Sequence, residues 1–270
     1  MIHERVYLNP DDHRIYVDTY IADDRHYARP AMLVIPGGGY KNVCSDREGE
    51  PIALAYFAKG FNAFVLNYGT GTERDVYPKH LIDASRAILH IRKNAEHYSV
   101  DKNKVYAVGF SAGGHLAGCL AVLSDREEVL SALGIKAGDN RPNGVVLSYP
   151  VVTAYDPTHR GSFENLTRKA FDTLTDSERE SYSLEKNVKG SSSPAFIWHT
   201  ATDAAVPVRG SLALTAAYAE CGVPVTLRVY PYGPHGLALS NEITNSNGGA
   251  DEPIATEWVD KSIEFLKSLK

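Results

Sequence analysis

A serine stands at the centre of Gly109-Phe110-Ser111-Ala112-Gly113, between the apolar run Lys104-Val105-Tyr106-Ala107-Val108 and the small-residue run Gly114-His115-Leu116-Ala117-Gly118. The order predicts a strand, a sharp turn and a helix, with the Ser111 hydroxyl projecting from a sheet end beside the positive end of a helix. Glycine two residues to either side fits a strained turn that leaves no room for a Cβ. G-x-S-x-G recurs by chance, so the flanking strand and helix carry more weight than the five residues themselves.

Apolar runs repeat along the chain in alternation with helical patterns. Strands are expected at 5–8, 15–21, 31–35, 61–67, 104–108, 145–148, 195–200 and 225–230. Helices are expected at 51–59, with Gly60 as the stop, at 81–97, after Ser111, at 208–220 and at 254–269. Strands alternating with helices imply a mostly parallel sheet covered on both faces. The alternation lapses over 151–193, a polar and aromatic stretch with helical character near 163–180, which reads as a cap inserted over the strand ends. With 270 residues, one α/β domain spanning 1–270 with this insertion is the expected organisation.

A serine hydroxyl is a weak nucleophile and needs a base that is itself oriented by a carboxylate. In open parallel sheets such groups follow the carboxyl ends of strands. Asp203 follows the expected strand 195–200, and His235 follows 225–230 in Pro231-Tyr232-Gly233-Pro234-His235-Gly236. Read alone, Asp203 could equally cap the next helix and His235 could be a surface loop residue. Together behind the elbow, in the order Ser, Asp, His, they read as a triad. His199 reads as a core residue or one behind the triad. His115 is directed away by helical geometry, and His80, His90 and His97 belong to or flank one helix.

Acyl transfer develops an oxyanion that needs preorganised donors. The amide of Ala112 is one candidate. Gly38 and Gly39, in Pro36-Gly37-Gly38-Gly39-Tyr40 at the end of the third strand, are the others, although alone that run would be a flexible turn. No nucleotide-binding glycine pattern occurs, since Gly69-Thr70-Gly71 lacks a third glycine.

PGGGY (36–40), REGEPIA (47–53), GFSAGGHLA (109–117), HTATDAAVP (199–207) and GPHGL (233–237) span most of the chain. On these the sequence resembles the α/β-hydrolase superfamily, in particular bacterial esterases of the acetyl-xylan esterase and feruloyl-esterase-like group, related to hormone-sensitive-lipase-like enzymes. The resemblance implies Ser111 as nucleophile, His235 as base, Asp203 as acid and Gly38, Gly39 and Ala112 as oxyanion donors. Tyr40, Tyr68, His115 and Tyr155 are expected to touch substrate. Two departures stand out: Pro36 replaces the His of His-Gly-Gly-Gly, and Asn67-Tyr68-Gly69-Thr70-Gly71 replaces Tyr-Arg-Leu-Ala-Pro.

The expected function is a serine carboxylesterase of short-acyl esters, such as acetyl groups on plant-cell-wall oligosaccharides, with no metal or organic cofactor. A peptidase or amide hydrolase resembling prolyl-oligopeptidase catalytic domains is the alternative within enzymes. A binding module on the same fold is the alternative outside them. A net charge of −5 argues against nucleic-acid or anionic-membrane partners, and a homo-oligomer stays open. The N-terminus, MIHERVYLNPDD, has no apolar leader segment, so a cytoplasmic protein is expected. Cys44, Cys119 and Cys221 form no disulfide or zinc pattern. The aromatic residues Tyr155, Phe163, Phe171 and Tyr182 of 151–193 are expected mainly to pack, with sugar stacking as the other use.

Overall fold

The computed structural model describes residues 1–24, 26–244 and 255–269. The chain runs β1 (Arg5–Tyr7), β2 (Tyr16–Tyr20), β3 (Arg29–Ile35), α1 (Ser45–Glu48), α2 (Glu50–Ala58), β4 (Asn62–Asn67), α3 (Lys79–Lys93), β5 (Val100–Phe110), α4 (Ala112–Val122) and α5 (Glu127–Leu133). It continues through β6 (Val145–Ser148), α6 (Arg160–Thr167), α7 (Asp176–Tyr182), β7 (Ala195–Thr200), α8 (Arg209–Glu220), β8 (Val225–Tyr230) and α9 (Trp258–Ser268). Single 3-10 turns at Phe171–Thr173 and Leu184–Lys186 flank α7.

The eight strands form one sheet in the order β1-β2-β4-β3-β5-β6-β7-β8. β1 and β2 are antiparallel, and β2 also meets β4 antiparallel. From β4 to β8 every pairing is parallel. This is the mostly parallel sheet that the alternation predicts, in keeping with the α/β-hydrolase fold that the resemblance implies.

Parallel strands buried on both faces are continuously apolar, and consecutive residues feed opposite cores. Ala31, Leu33 and Ile35 of β3 join Ala107 of β5, Leu147 of β6 and the inner faces of α3, α4 and α8 in one core. Met32 and Val34 point the other way, with Val108, Val146, Phe196 and Trp198, against α2 and α9. Trp198 and Trp258 stack there at 5.3 Å, and each indole N–H is spent, on Ser148 Oγ (2.7 Å) and the Ala238 carbonyl (2.8 Å).

Several boundaries depart from the sequence reading. The helix expected at 81–97 spans Lys79–Lys93, because the chain must turn at Ser99 to start a β5 that begins at Val100, four residues ahead of the apolar run. The short helices α1 and α5 were not expected. The last helix starts at Trp258, and residue 254, its expected start, lies outside the described residues. The segment 151–193 contains α6, α7 and both 3-10 turns, and Phe163 and Phe171 are buried within it, as the packing reading holds. Among the described residues no helix is long and apolar enough to cross a membrane.

The pairing register lines up the carboxyl ends. Ile35 of β3 lies opposite Gly109 of β5, Phe110 opposite Ser148 of β6, and Ser148 opposite Trp198 of β7. The residues that follow these ends therefore emerge side by side.

Candidate active site

Ser111 sits in the turn between β5 and α4 with φ +54°, a conformation that costs a side-chain-bearing residue of order 1–3 kcal/mol. The turn is held by its own backbone: the Ser111 amide donates to the Ser148 carbonyl (3.0 Å), and the Ser111 carbonyl accepts from Val151 (3.1 Å) and His115 (3.0 Å). The flanking glycines are dictated by close approach. A Cβ on Gly113 would overlap the carbonyls of Ile35 and Pro36, and one on Gly109 would overlap that of Gly113.

His235 Nε2 lies 2.7 Å from Ser111 Oγ, and its Nδ1 lies 2.6 Å from Asp203 Oδ2. A carboxylate only accepts, so Nδ1 carries the proton and Nε2 is left to receive that of Ser111. Asp203 is not the cap of α8, which begins at Arg209. Its Oδ1 instead accepts the amides of Ala205 (2.9 Å) and Val206 (2.8 Å). Burial alone would raise the Asp203 carboxyl, but hydrogen bonds from His199, His235 and the Val206 amide outweigh it and hold the group well below the usual carboxylate range. Fully buried His199 has its Nδ1 2.9 Å from Ser211 Oγ and its Nε2 2.9 Å from the Val206 carbonyl.

The glycine run after β3 wraps beside the serine. Gly37 donates to Glu48 Oε2 (2.8 Å), while its carbonyl accepts from Cys44 (3.0 Å). The Gly38 carbonyl accepts from Lys41 and Asn42, and the Gly39 carbonyl from Asn165 Nδ2 of α6 (2.9 Å). Among the described residues, the amides of Gly38, Gly39 and Ala112 take no hydrogen bond. The Pro36 carbonyl accepts from the Tyr68 hydroxyl at 2.9 Å.

That contact corrects the expectation for Tyr68, which is 1% exposed and offers no face to a substrate. Tyr40 and His115 are equally buried, and they too are corrected. His115 Nε2 donates to the Tyr182 carbonyl (2.8 Å), so Nδ1 accepts the Tyr40 hydroxyl (2.8 Å). Burial pushes His115 down to about 4, which keeps it neutral. These three side chains support the glycine loop and α4 from behind. Tyr155 is half-buried, and its hydroxyl reaches the Asp176 carbonyl inside the segment 151–193.

Three nearby residues were not singled out as site residues in the sequence, although Glu48 falls within REGEPIA (47–53). Glu48 is buried at the end of α1, where acidic residues usually serve a helix start. Tyr149 follows β6 and packs its ring on that of His235 at 5.0 Å. His159, ahead of α6, bonds Ser162 Oγ through Nδ1 (2.8 Å), and its ring carbon lies 3.9 Å from where a side chain on Gly39 would begin. Burial lowers its basicity, with His235 adding to the effect. The replaced Tyr-Arg-Leu-Ala-Pro stretch also has an explanation. Gly69 donates to Asp83 (3.2 Å), and a side chain there would run into Lys79, which bridges Asp75 and Asp83.

A serine on a strand–helix elbow, at the carboxyl end of this sheet order, defines an α/β-hydrolase. The solved structures agree across almost the full chain. An acetyl ester-xyloside bifunctional hydrolase from Caldicellulosiruptor lactoaceticus superposes with TM-score 0.82 at 29% identity, covering 99% of this chain and 97% of that one. A carboxylesterase from Lactobacillus plantarum WCFS1 gives 0.85 at 28% identity, covering 99% and 97%. The chain belongs to the BD-FAE family, which it matches over residues 17–218.

Among curated proteins, the chain is 44% identical over 218 residues to an endo-1,4-beta-xylanase B of Butyrivibrio fibrisolvens, covering 79% of this chain and 33% of that protein. It is 28% identical over 213 residues to an acetylxylan esterase of Xylanibacter ruminicola, covering 77% and 41%. It thus spans well under half the length of either relative.

Proposed function

We propose that the protein is a serine carboxylesterase acting on short-acyl esters, with acetyl groups on plant-cell-wall oligosaccharides as its substrate class. The observation that carries the reading is the unbroken line Ser111 Oγ–His235–Asp203, at 2.7 and 2.6 Å, beside three amides with no partner among the described residues. The names of the relatives support the substrate class, since both an acetylxylan esterase and an acetyl ester-xyloside hydrolase are among them.

His235 takes the Ser111 proton as Oγ attacks the ester carbonyl. The resulting oxyanion is met by the amides of Ala112, Gly38 and Gly39, each such donor contributing about 3 kcal/mol. His235 then protonates the departing alcohol, and in the second half it deprotonates the water that releases the acid. Asp203 holds the Nδ1–H tautomer and offsets the imidazolium charge. The segment 151–193 serves as a cap, and His159 and Tyr155 are its polar side chains available to the alcohol portion.

The test is hydrolysis of p-nitrophenyl acetate by wild type and Ser111→Ala, followed by a panel of acetylated xylo-oligosaccharides, feruloyl esters and peptide anilides. Equal rates for wild type and Ser111→Ala would end the mechanism. Preference for the anilides would move the protein to the amide hydrolases.

A further inference from the structure

The Arg47-Glu48 pair takes no part in the steps above, yet Glu48 is 1% exposed. A buried carboxylate persists only where its oxygens are hydrogen-bonded. Those of Glu48 face two different loops. Oε2 accepts the Gly37 amide at 2.8 Å, and Oε1 accepts the Tyr149 hydroxyl at 2.9 Å. The Tyr149 oxygen in turn accepts the Ala238 amide at 2.9 Å.

The polarity of this chain follows from its ends. An amide can only donate, so the Ala238 N–H takes a lone pair of the Tyr149 oxygen and the phenolic proton goes to the carboxylate. Gly37 directly precedes the proposed oxyanion donors Gly38 and Gly39, and Ala238 lies three residues after His235. Arg47 adds a longer contact to the Gly236 carbonyl, at 3.4 Å.

Two further observations go beyond ordinary packing. Tyr149 has φ +38°, a strained value for a tyrosine that its neighbours must impose, and its own amide is tied to the Trp198 carbonyl at 2.8 Å. Glu48 also takes up the Gly37 amide, which leaves those of Gly38 and Gly39 as the amides of the glycine run with no partner among the described residues. A Cβ on Gly37 would lie 2.7 Å from the Phe110 carbonyl and 2.8 Å from Glu48 Oε2, so the loop is pressed between the elbow and this carboxylate.

We propose that Glu48 and Tyr149 are positioning residues that form a single relay, Ala238–Tyr149–Glu48–Gly37, locking the oxyanion loop and the histidine loop into one geometry. The proposal rests on the esterase reading for its consequence. A preorganised site spends nothing on reorganising donors during reaction, and a misplacement of about 1 Å can cost on the order of a hundredfold in rate. Loss of the relay therefore shows in kcat and leaves substrate affinity nearly unchanged.

The experiment compares the 270-residue wild-type chain, Ser111→Ala, Tyr149→Phe and Glu48→Gln. It has two arms: amide hydrogen exchange read on peptides covering 36–42 and 234–240, and kcat and KM on p-nitrophenyl acetate with inhibition by phenylboronic acid. Tyr149→Phe removes one oxygen and keeps the ring, so it stands in should Glu48→Gln fail to fold. The expected result is exchange at least tenfold faster in both peptides and kcat lower by ten- to a hundredfold. KM should stay within twofold, and boronate inhibition should weaken in step with kcat. Faster exchange confined to 234–240, or an unchanged kcat, would overturn the relay. Absence of Ser111-dependent turnover in wild type would instead overturn the esterase reading, and the exchange arm would still decide whether the loops are coupled.

Discussion

His199 Nε2 lies 3.2 Å from Asp203 Oδ2, the same oxygen that holds His235 Nδ1. One carboxylate oxygen thus serves two imidazoles. The second is fully buried and anchored through Ser211, so the orientation of Asp203 does not depend on the partly exposed His235 alone. Asp203→Asn should lower kcat by about 10⁴, the scale of losing a triad carboxylate. His199→Leu keeps that carboxylate and should lower kcat by roughly tenfold or less, since hydrogen bonds from Val206 and Ala205 still hold Oδ1. Steady-state kinetics on p-nitrophenyl acetate separates the two; a larger loss in His199→Leu would contradict this order.

Gly113→Ala should be among the most damaging single-methyl additions available. The new Cβ would meet backbone oxygens of Ile35 and Pro36, which cannot rotate away as a side chain could. Overpacking of a rigid site costs about 1–3 kcal/mol and often more. Gly161→Ala, which would meet only the His159 ring at 3.6 Å, is the control. Thermal denaturation of both variants decides the point, and similar midpoints would argue against the elbow being sterically closed.

Acid should destabilise the fold before most carboxylates titrate. Burial pushes His80 down to about 3 and His115 down to about 4 from an ordinary value of 6.5. Between those values and 6.5 the unfolded chain binds protons that the folded chain refuses. Stability is therefore fully present above 6.5 and falls as the pH drops toward 4. Each histidine contributes roughly 3 kcal/mol to that fall. His80 packs edge-on against Tyr40 at 4.8 Å, so His80→Phe keeps a ring in place and should flatten the profile. Denaturant midpoints from pH 7.5 to 4.5 supply the measurement, and equal slopes would rule out His80 as a source.

Tyr68→Phe should separate support from contact. The lost bond to the Pro36 carbonyl is a neutral buried one, worth about 1 kcal/mol. We expect a small drop in melting temperature and a kcat lower by a few-fold, with KM unchanged. A selective rise in KM would mean that Tyr68 touches substrate after all.

The strands were legible because parallel-sheet segments are short apolar runs, and 145–148, 195–200 and 225–230 match β6, β7 and β8 to the residue. Ser111, Asp203 and His235 were legible because each follows such a run, and strand ends converge whatever the loops do. Tyr40, Tyr68 and His115 were misread for a related reason. Proximity to Ser111 along the chain or the strand edge says nothing about which way a ring points, and all three rings turn into the core. Glu48 stood inside REGEPIA, but its role was illegible because Gly37 lies eleven residues away in the same connection and Tyr149 is brought to it by tertiary packing from the connection after β6. Its burial leaves no trace in a stretch as polar as Ser45-Asp46-Arg47-Glu48.

The segment between Ser148 and Ala195 leaves the sheet from one strand and re-enters it at the immediate neighbour, since β6 and β7 pair directly with Val145 opposite Ala195. A detour anchored at adjacent points can lengthen, shorten or change composition without shifting the register of any strand. Its direct bond to the glycine loop, Asn165 to the Gly39 carbonyl, is a single side-chain contact. The convergence of the strand ends that carry Ser111, Asp203 and His235 therefore does not depend on how long that detour is or what it is made of.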